Sequence, residues 1–199
     1  MPYSKLWVGI IAVFSISFFL LPVPSLGQGP TYHWGRTPTD KEIKDWDISV
    51  SPAGKELPPG SGTAKEGANI YAQKCAVCHG PTGEKWASTS GGGGRPLVGG
   101  RDTLNSADPL RTVGSFWPFA TSVFDFIRRG MPQGQEGTLS ANEVYALTAV
   151  LLYRNGIIKE TDVLDAKSLP KVQMPNRNGF VPAEPKWKPG QPKKFGLYP

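Results

Sequence analysis

The chain of 199 residues contains two cysteines, and both lie in one short stretch, Cys75-Ala76-Val77-Cys78-His79. The pattern C-x-x-C-H is typical of covalent haem attachment. In that chemistry two thiols add across the two vinyl groups of the haem, and the adjacent histidine supplies one axial nitrogen to the iron. The motif therefore predicts one covalently bound haem c, attached through Cys75 and Cys78 and ligated by His79.

A C-x-x-C pair can also form a thioredoxin-like redox site or half of a zinc site. A redox pair would follow a strand, whereas the residues before Cys75 have a helical pattern. A zinc site would need further cysteine or histidine ligands, and His33 is the remaining candidate in the sequence. We therefore favour the haem interpretation.

The second axial ligand has to come from a small set of side chains. Apart from the initiator the chain has two methionines, Met131 and Met174, and each precedes a proline. Met131 lies between two predicted helices, so its loop can fold over the opposite haem face, and we predict that it is the ligand. Met174 in the C-terminal tail, His33 in the N-terminal arm and an open coordination site remain as alternatives.

Glycine and proline, with 24 and 20 residues, exclude one helical bundle running from end to end. Capping-box spacing and apolar periodicity nevertheless predict separate helices. A glycine-rich loop follows the haem motif, and the Pro-rich C-terminus should be largely extended. The predicted helices cover residues 39–46, 63–75, 120–129 and 140–155.

The first 27 residues have the pattern of an export signal. Lys5 precedes a charge-free stretch over residues 6–21, and small residues form a cleavage site that ends at Gly27. The stretch is shorter than the roughly 20 apolar residues of a membrane span, and an uncleaved anchor is the alternative. We expect a periplasmic protein, in contact with a membrane only if this segment stays attached.

Positive charge is concentrated at the C-terminus. The formal net charge of the chain is +6, and residues 170–199 hold six lysines and arginines against one glutamate. Nucleic acid is not the expected partner of an exported chain. The tail is either a solvated solubilising segment, or it wraps its own domain or contacts a partner protein.

Residues 63–156 resemble a class I cytochrome c domain, which is a small all-α fold. The resemblance rests on the helix that ends in the haem motif, the Pro96-Leu97 loop, the Met131-Pro132 loop and the last helix. It implies a domain at residues 63–160, between an extended N-terminal arm at 28–62, which follows the signal at 1–27, and an irregular extension at 161–199.

The resemblance also implies supporting roles around the haem. The backbone carbonyl of Pro96 is expected to accept the Nδ1 proton of His79, and Leu97 lies in the same loop. Independently of the resemblance, the position of Trp117 between the two haem loops makes it the favoured candidate for bonding a propionate or packing against the haem, with Trp86 and Tyr145 as alternatives for the propionate bond. Gly67 and Tyr71 match the contact that the first helix of this fold makes with the last.

Four further segments carry a narrower resemblance: Trp46–Ile48, Leu57–Gly62, Thr112–Phe119 and Val172–Arg177. They are similar to the cytochrome subunit of Sox-type sulfane dehydrogenases and related sulfite dehydrogenases. That resemblance implies an electron-accepting subunit whose donor is a molybdenum-cofactor subunit that oxidises sulfur compounds. The acceptor would then be another cytochrome or a terminal oxidase.

Three classes of function remain open at this stage. An electron carrier, serving this or another periplasmic dehydrogenase, needs no catalytic residue of its own. A haem enzyme acting on a sulfur compound or a peroxide would need an open iron site or a free thiolate, and thioether bonds consume both cysteines. A haem-bearing sensor or structural module is the third class. We favour the electron carrier.

Overall fold

The computed structural model describes residues 34–84 and 93–181. The predicted export signal, His33 and the tail from residue 182 lie outside the described residues. Two compact units divide the chain, Met1–Ile43 and Lys44–Pro199. Within the first unit Thr39 and Glu42 bond each other reciprocally, which is the capping box predicted for the first helix.

The described residues form five helices, two short strands and one 3₁₀ turn. The mostly helical architecture confirms the predicted all-α class, although the strands were not predicted. The strands pair antiparallel, with Gly62 opposite Leu164. The elements are α1 (Asp40–Trp46), β1 (Ser61–Thr63), α2 (Ala64–Lys74), α3 (Ala76–His79), α4 (Ala120–Gly130), α5 (Ala141–Arg154), β2 (Val163–Asp165) and the 3₁₀ turn Leu169–Lys171.

Helix α2 and strand β1 both lie directly on the backbone of α5, because each has a glycine at the point of contact. A Cβ atom at Gly67 would lie 2.0 Å from the carbonyl oxygen of Ala146, and one at Gly62 would lie 2.3 Å from its backbone nitrogen. Val150 also borders Gly67. Tyr71 is fully buried one turn further along, where the Arg154 guanidinium lies 4.3 Å from its ring centroid. The expected contact of Gly67 and Tyr71 with the last helix is therefore present.

The N-terminal arm is not freely extended in its described part, because residues 48–57 pack on α4. Val50 and Leu57 are buried in the core. The carboxylate of Asp125 accepts a hydrogen bond of 2.8 Å from the backbone N–H of Val50. Arg128 donates to the carbonyl of Ile48 at 3.1 Å. Buried apolar side chains and these two bonds stabilise the arm against the domain.

The C-terminal extension also packs on the domain as far as residue 180, and we call residues 163–180 the strap. Leu164, Leu169 and Met174 are buried in the core. Asn176 donates to the carbonyl of Phe116 at 2.7 Å, and Phe180 lies edge-on to the Phe116 ring. After the 3₁₀ turn, residues 172–181 contain no helix or strand, and Met174 anchors this stretch in the core.

Lys74 and Glu143 join α2 to the start of α5, and this pair predicts a dependence of stability on pH. The Lys74 ammonium, 2.7 Å from the carboxylate, and the Ser140 backbone N–H lower the pKa of Glu143 to about 2. A carboxyl group with a lowered pKa stabilises the fold above its ordinary pKa near 4.5 and loses that contribution as pH falls toward 2. After solvent screening we expect the contribution to be about 1 kcal/mol.

Chemical denaturation of wild type and Glu143→Gln between pH 7 and pH 2 measures this contribution. The variant should be less stable at pH 7, and the difference should shrink below pH 4. Glu160→Gln, at an exposed carboxylate, is the control and should parallel wild type. A constant difference between wild type and Glu143→Gln across the range would contradict the prediction.

Candidate haem site

The five motif residues form one tight turn after α2. Helix α2 ends at Lys74, and α3 runs from Ala76 to His79. The backbone N–H groups of Cys78 and His79 both bond the carbonyl of Cys75, at 3.1 and 2.9 Å. This turn brings two thiols and an imidazole within four positions of each other, as the motif predicts.

The two thiols are free and differ in exposure. Cys75 is partly buried against the core, and Cys78 is exposed. Burial raises the pKa of the Cys75 thiol to about 11. Redox-active C-x-x-C cysteines have lowered pKa values instead. The electrostatic surroundings of Cys75 are therefore unlike those of a thioredoxin-type nucleophile.

One hydrogen bond fixes the protonated nitrogen of the His79 ring. Its Nδ1 lies 2.9 Å from the carbonyl oxygen of Arg95, and because a carbonyl can only accept, Nδ1 carries the proton. The remaining nitrogen, Nε2, is then the one that can bind a metal. The expected acceptor was the carbonyl of Pro96, so the structure shifts the acceptor by one residue.

The loop before Pro96 explains this shift. The Gly94 N–H bonds the carbonyl of Cys78 at 2.7 Å, which draws the loop against the haem motif. A Cβ atom at Gly94 would lie 2.4 Å from His79 Nδ1, so glycine lets the backbone lie directly on the imidazole. Pro96 itself is buried. Arg95 is the next residue after this close approach, and its carbonyl is the one within hydrogen-bond distance of the ring.

The remaining predicted haem residues lie at the margin of the core. Leu97, Trp117 and Met131 are partly buried and pack against it. Met131 follows the end of α4, and its N–H caps that helix on the carbonyl of Ile127. The Trp117 ring lies edge-on to Phe126, with 5.7 Å between their centroids. Their partial exposure leaves all three able to contact a bound group.

Met174, the alternative ligand, lies in a different environment. Its side chain is 3% exposed and belongs to the core cluster. Packing among apolar side chains accounts for this methionine without an iron bond. Met131 stays the predicted ligand, and the other alternative, His33, lies outside the described residues.

Comparison with known proteins identifies the family of the chain. Residues 62–149 match the protein family described as cytochrome c oxidase, cbb3-type, subunit III. Among solved structures, the chain is similar to one in the sulfane dehydrogenase SoxCD from Paracoccus pantotrophus, with 38% identity and a TM-score of 0.68. That match covers 77% of this chain and 73% of the other. This chain belongs to the c-type cytochromes.

The cytochrome is also similar to two curated proteins named thiosulfate dehydrogenase. One, from Stutzerimonas stutzeri, is 29% identical over 118 residues, and the other, from Psychrobacter arcticus, is 33% identical over 108 residues. The matches cover 53% and 50% of the cytochrome, but 35% and 30% of the relatives. The chain thus spans about a third of the length of these relatives.

The donor set of the cytochrome fits a haem c. Two unpaired thiols and an imidazole with Nδ1 already bonded are the groups that hold such a haem, and the partly buried Met131 is the predicted second ligand. Among residues 34–84 and 93–181, no three His, Cys, Asp or Glu side chains are grouped as a metal site. In the same residues, no helix combines the length and apolar character of a membrane span.

Two residues near the motif were not identified from the sequence as contributors to the site. The Tyr71 hydroxyl donates to the carbonyl of Gly80 at 3.0 Å and so holds the end of the haem turn. Burial raises the pKa of Tyr71 to about 12, which keeps the hydroxyl protonated as a donor. Asn155 bonds the loop that contains Leu97. The sequence indicated Asn155 only as the end of a helix.

Proposed function

We propose that the cytochrome is an exported, monohaem electron carrier, the electron-accepting subunit of a molybdenum-dependent dehydrogenase that oxidises a sulfur compound. The observation that carries this proposal is the extent of its similarity to SoxCD. At 77% of the chain, the similarity continues well beyond residues 62–149. It therefore includes parts of the arm or the strap, which an independent shuttle of this fold would not need.

Each proposed ligand has a supporting contact in the chain. Cys75 and Cys78 would hold the haem covalently, and His79 and Met131 would be the axial ligands of its iron. The bound haem supplies a one-electron couple, and a methionine ligand favours its ferrous form. The Arg95 carbonyl orients the imidazole of His79, and the turn at the end of α4 fixes the backbone of Met131.

In this proposal the chain performs no substrate chemistry by itself. Once both cysteines form thioether bonds, no thiolate is left to attack a sulfur compound. The donor would be a molybdenum-cofactor subunit in the periplasm, and the acceptor another cytochrome or a terminal oxidase. The Pro96-Leu97 loop and Trp117 would pack around the haem and exclude water from it.

The similarity to thiosulfate dehydrogenases favours a second candidate, in which the cytochrome itself oxidises thiosulfate. The purified chain, incubated with thiosulfate or sulfite and ferricyanide, distinguishes the two. A subunit should show no turnover until the molybdenum subunit is added, and reduction of its haem should then follow substrate addition. Turnover by the chain alone would favour the second candidate and overturn the first.

Covalent attachment of one haem is the first prediction of the proposal. Chain expressed in cells that mature c-type cytochromes should be heavier than the polypeptide by one haem, and acidified organic solvent should not extract that haem. The expected mass and retention follow from two thioether bonds. Mass spectrometry and a pyridine haemochrome spectrum make the measurement. The double variant Cys75→Ser/Cys78→Ser is the control and should lose its haem in the same extraction.

An unmodified wild-type mass with two free thiols would reject covalent haem. A mass increase of two haems would instead reject the monohaem assignment, which rests on the single C-x-x-C-H motif.

A further inference from the structure

Asn155 uses both ends of its side-chain amide to join the end of α5 to the Leu97–Gly99 loop, which lies between the haem motif and α4. Its Nδ2 donates to the carbonyl of Leu97 at 3.1 Å and to the carbonyl of Leu151 at 2.8 Å. Its Oδ1 accepts from the backbone N–H of Gly99 at 3.0 Å. Arg101 donates to the Asn155 backbone carbonyl at 3.2 Å. Three side-chain bonds from one residue exceed what an ordinary helix end requires.

The side-chain amide of Asn155 is also closely packed against a neighbouring turn of the backbone. A Cβ atom at Gly114 would lie 2.2 Å from Asn155 Oδ1, so the backbone of the 112–115 turn passes directly against the amide. In that turn Val113 donates its N–H to the carbonyl of Leu97, at 3.2 Å. The Leu97 carbonyl therefore accepts from two elements at once.

The loop held in this way leads to the iron-binding histidine. Leu97 lies two residues after Arg95, whose carbonyl accepts the Nδ1 proton of His79, and Pro96 restricts the backbone between them. On its other side, the loop bonds the carbonyl of Gly83 through the N–H groups of Leu97 and Val98, at 2.7 and 3.0 Å. Only a few backbone torsions therefore separate the Leu97 carbonyl, which Asn155 bonds, from the Arg95 carbonyl, which His79 bonds.

We propose that Asn155 is a positioning residue for His79. By holding the Leu97–Gly99 loop at the end of α5, its amide fixes the carbonyl of Arg95 under the imidazole and so sets the strength of the Nδ1 hydrogen bond. This inference rests on the proposed haem ligation by His79. In this inference the end of the last helix also influences the reduction potential of the iron, through the histidine that binds it.

The direction of the effect follows from the hydrogen bond. A bond from Nδ1–H to a carbonyl raises the basicity of the imidazole and makes it a better donor to ferric iron. If the loop is released, the bond lengthens and the ferric state loses part of this stabilisation. The reduction potential should then rise, and the ring N–H should exchange faster with solvent.

The test compares two variants of the full-length haem protein with a control at the other end of the same helix. Asn155→Ala removes all three side-chain bonds. Asn155→Asp keeps the shape and the acceptor for the Gly99 N–H, but loses the donor to Leu97. The control is Asn142→Ala, because Asn142 also bonds a backbone group, the N–H of Ser61 at 3.0 Å, which lies in β1 and not in the loop that contacts His79.

Exchange of the His79 Nδ1 proton, followed by NMR, should become at least tenfold faster in both Asn155 variants and stay unchanged in Asn142→Ala. The reduction potential should rise in Asn155→Ala. In Asn155→Asp the added negative charge itself changes the potential, so for this variant only the exchange rate is compared. Thermal unfolding of all three variants measures the structural cost separately. If Asn155→Ala does not fold, the exchange rate in Asn155→Asp decides the question.

Wild-type exchange in Asn155→Asp, or exchange and potential unchanged in a folded Asn155→Ala, would overturn the positioning role and leave Asn155 as a helix cap. Failure of the proposed function has a different signature. In that case the wild-type protein itself would contain no covalent haem or show no histidine bound to the iron.

Discussion

Met131→Ala should abolish the methionine-to-iron charge-transfer band of the ferric protein, lower the reduction potential and let the ferrous protein bind carbon monoxide. If Met131 is the ligand, as proposed, its loss opens a coordination position of the iron and removes a donor that favours the ferrous state. Because Met131 is partly buried, the free energy of unfolding should also fall, by about 2 kcal/mol. Absorption spectra, a redox titration and a carbon monoxide titration measure these changes.

Met174→Ala is the matched control, since it removes the same atoms from a site in the core. With its side chain 3% exposed, the loss should reach about 2–5 kcal/mol of unfolding free energy. The charge-transfer band and the potential should nevertheless remain those of wild type. A band that survives Met131→Ala and disappears in Met174→Ala would identify Met174 as the ligand.

Gly67→Ala should be among the most damaging single substitutions in the domain. The added methyl would lie 2.0 Å from the carbonyl oxygen of Ala146, and backbone cannot move aside as a flexible side chain can. Helices α2 and α5 would have to separate, which costs packing over the whole crossing. We expect a loss of about 3 kcal/mol or more in unfolding free energy, measured by denaturant titration of the haem protein.

Gly130→Ala provides the comparison for this substitution. Gly130 is also helical, at the end of α4, but no atom lies within 4 Å of the position that a Cβ would take. Without a clash, alanine should leave stability unchanged or raise it by up to about 1 kcal/mol. Equal effects of the two substitutions would contradict the idea that the α2–α5 crossing depends on the missing side chain.

The helices could be predicted because their signals are local. Thr63 and Ser140 each form a capping box with the glutamate three residues later, and both appear in the structure as the spacing predicts. The C-x-x-C-H motif is equally local, since one turn of chain contains its three functional groups. The place of Gly67 opposite the last helix, by contrast, followed from resemblance to a known fold and not from a local signal.

Features that depend on contacts between distant segments were not predictable in this way. Strands β1 and β2 have three residues each, too few to show an alternating pattern. Proline content predicted an extended arm at residues 28–62 and a largely extended chain from residue 170 onward, but it did not reveal that Leu57 and Met174 enter the core. The acceptor for His79 depends on a close approach at Gly94 within a glycine run, where sequence does not reveal which glycine makes the contact.

The pairing of β1 with β2 has a consequence for the order of events during synthesis and export. The haem motif is synthesised well before α5. The Lys74–Glu143 bond, for example, joins positions that are 69 residues apart. Strand β1 can pair only after its partner strand, Val163–Asp165, has also been synthesised. Such long-range contacts form late because loop closure precedes them. If the chain is exported from its N-terminus, as proposed, both thiols would cross the membrane and be available for haem attachment before the last helix and the strap.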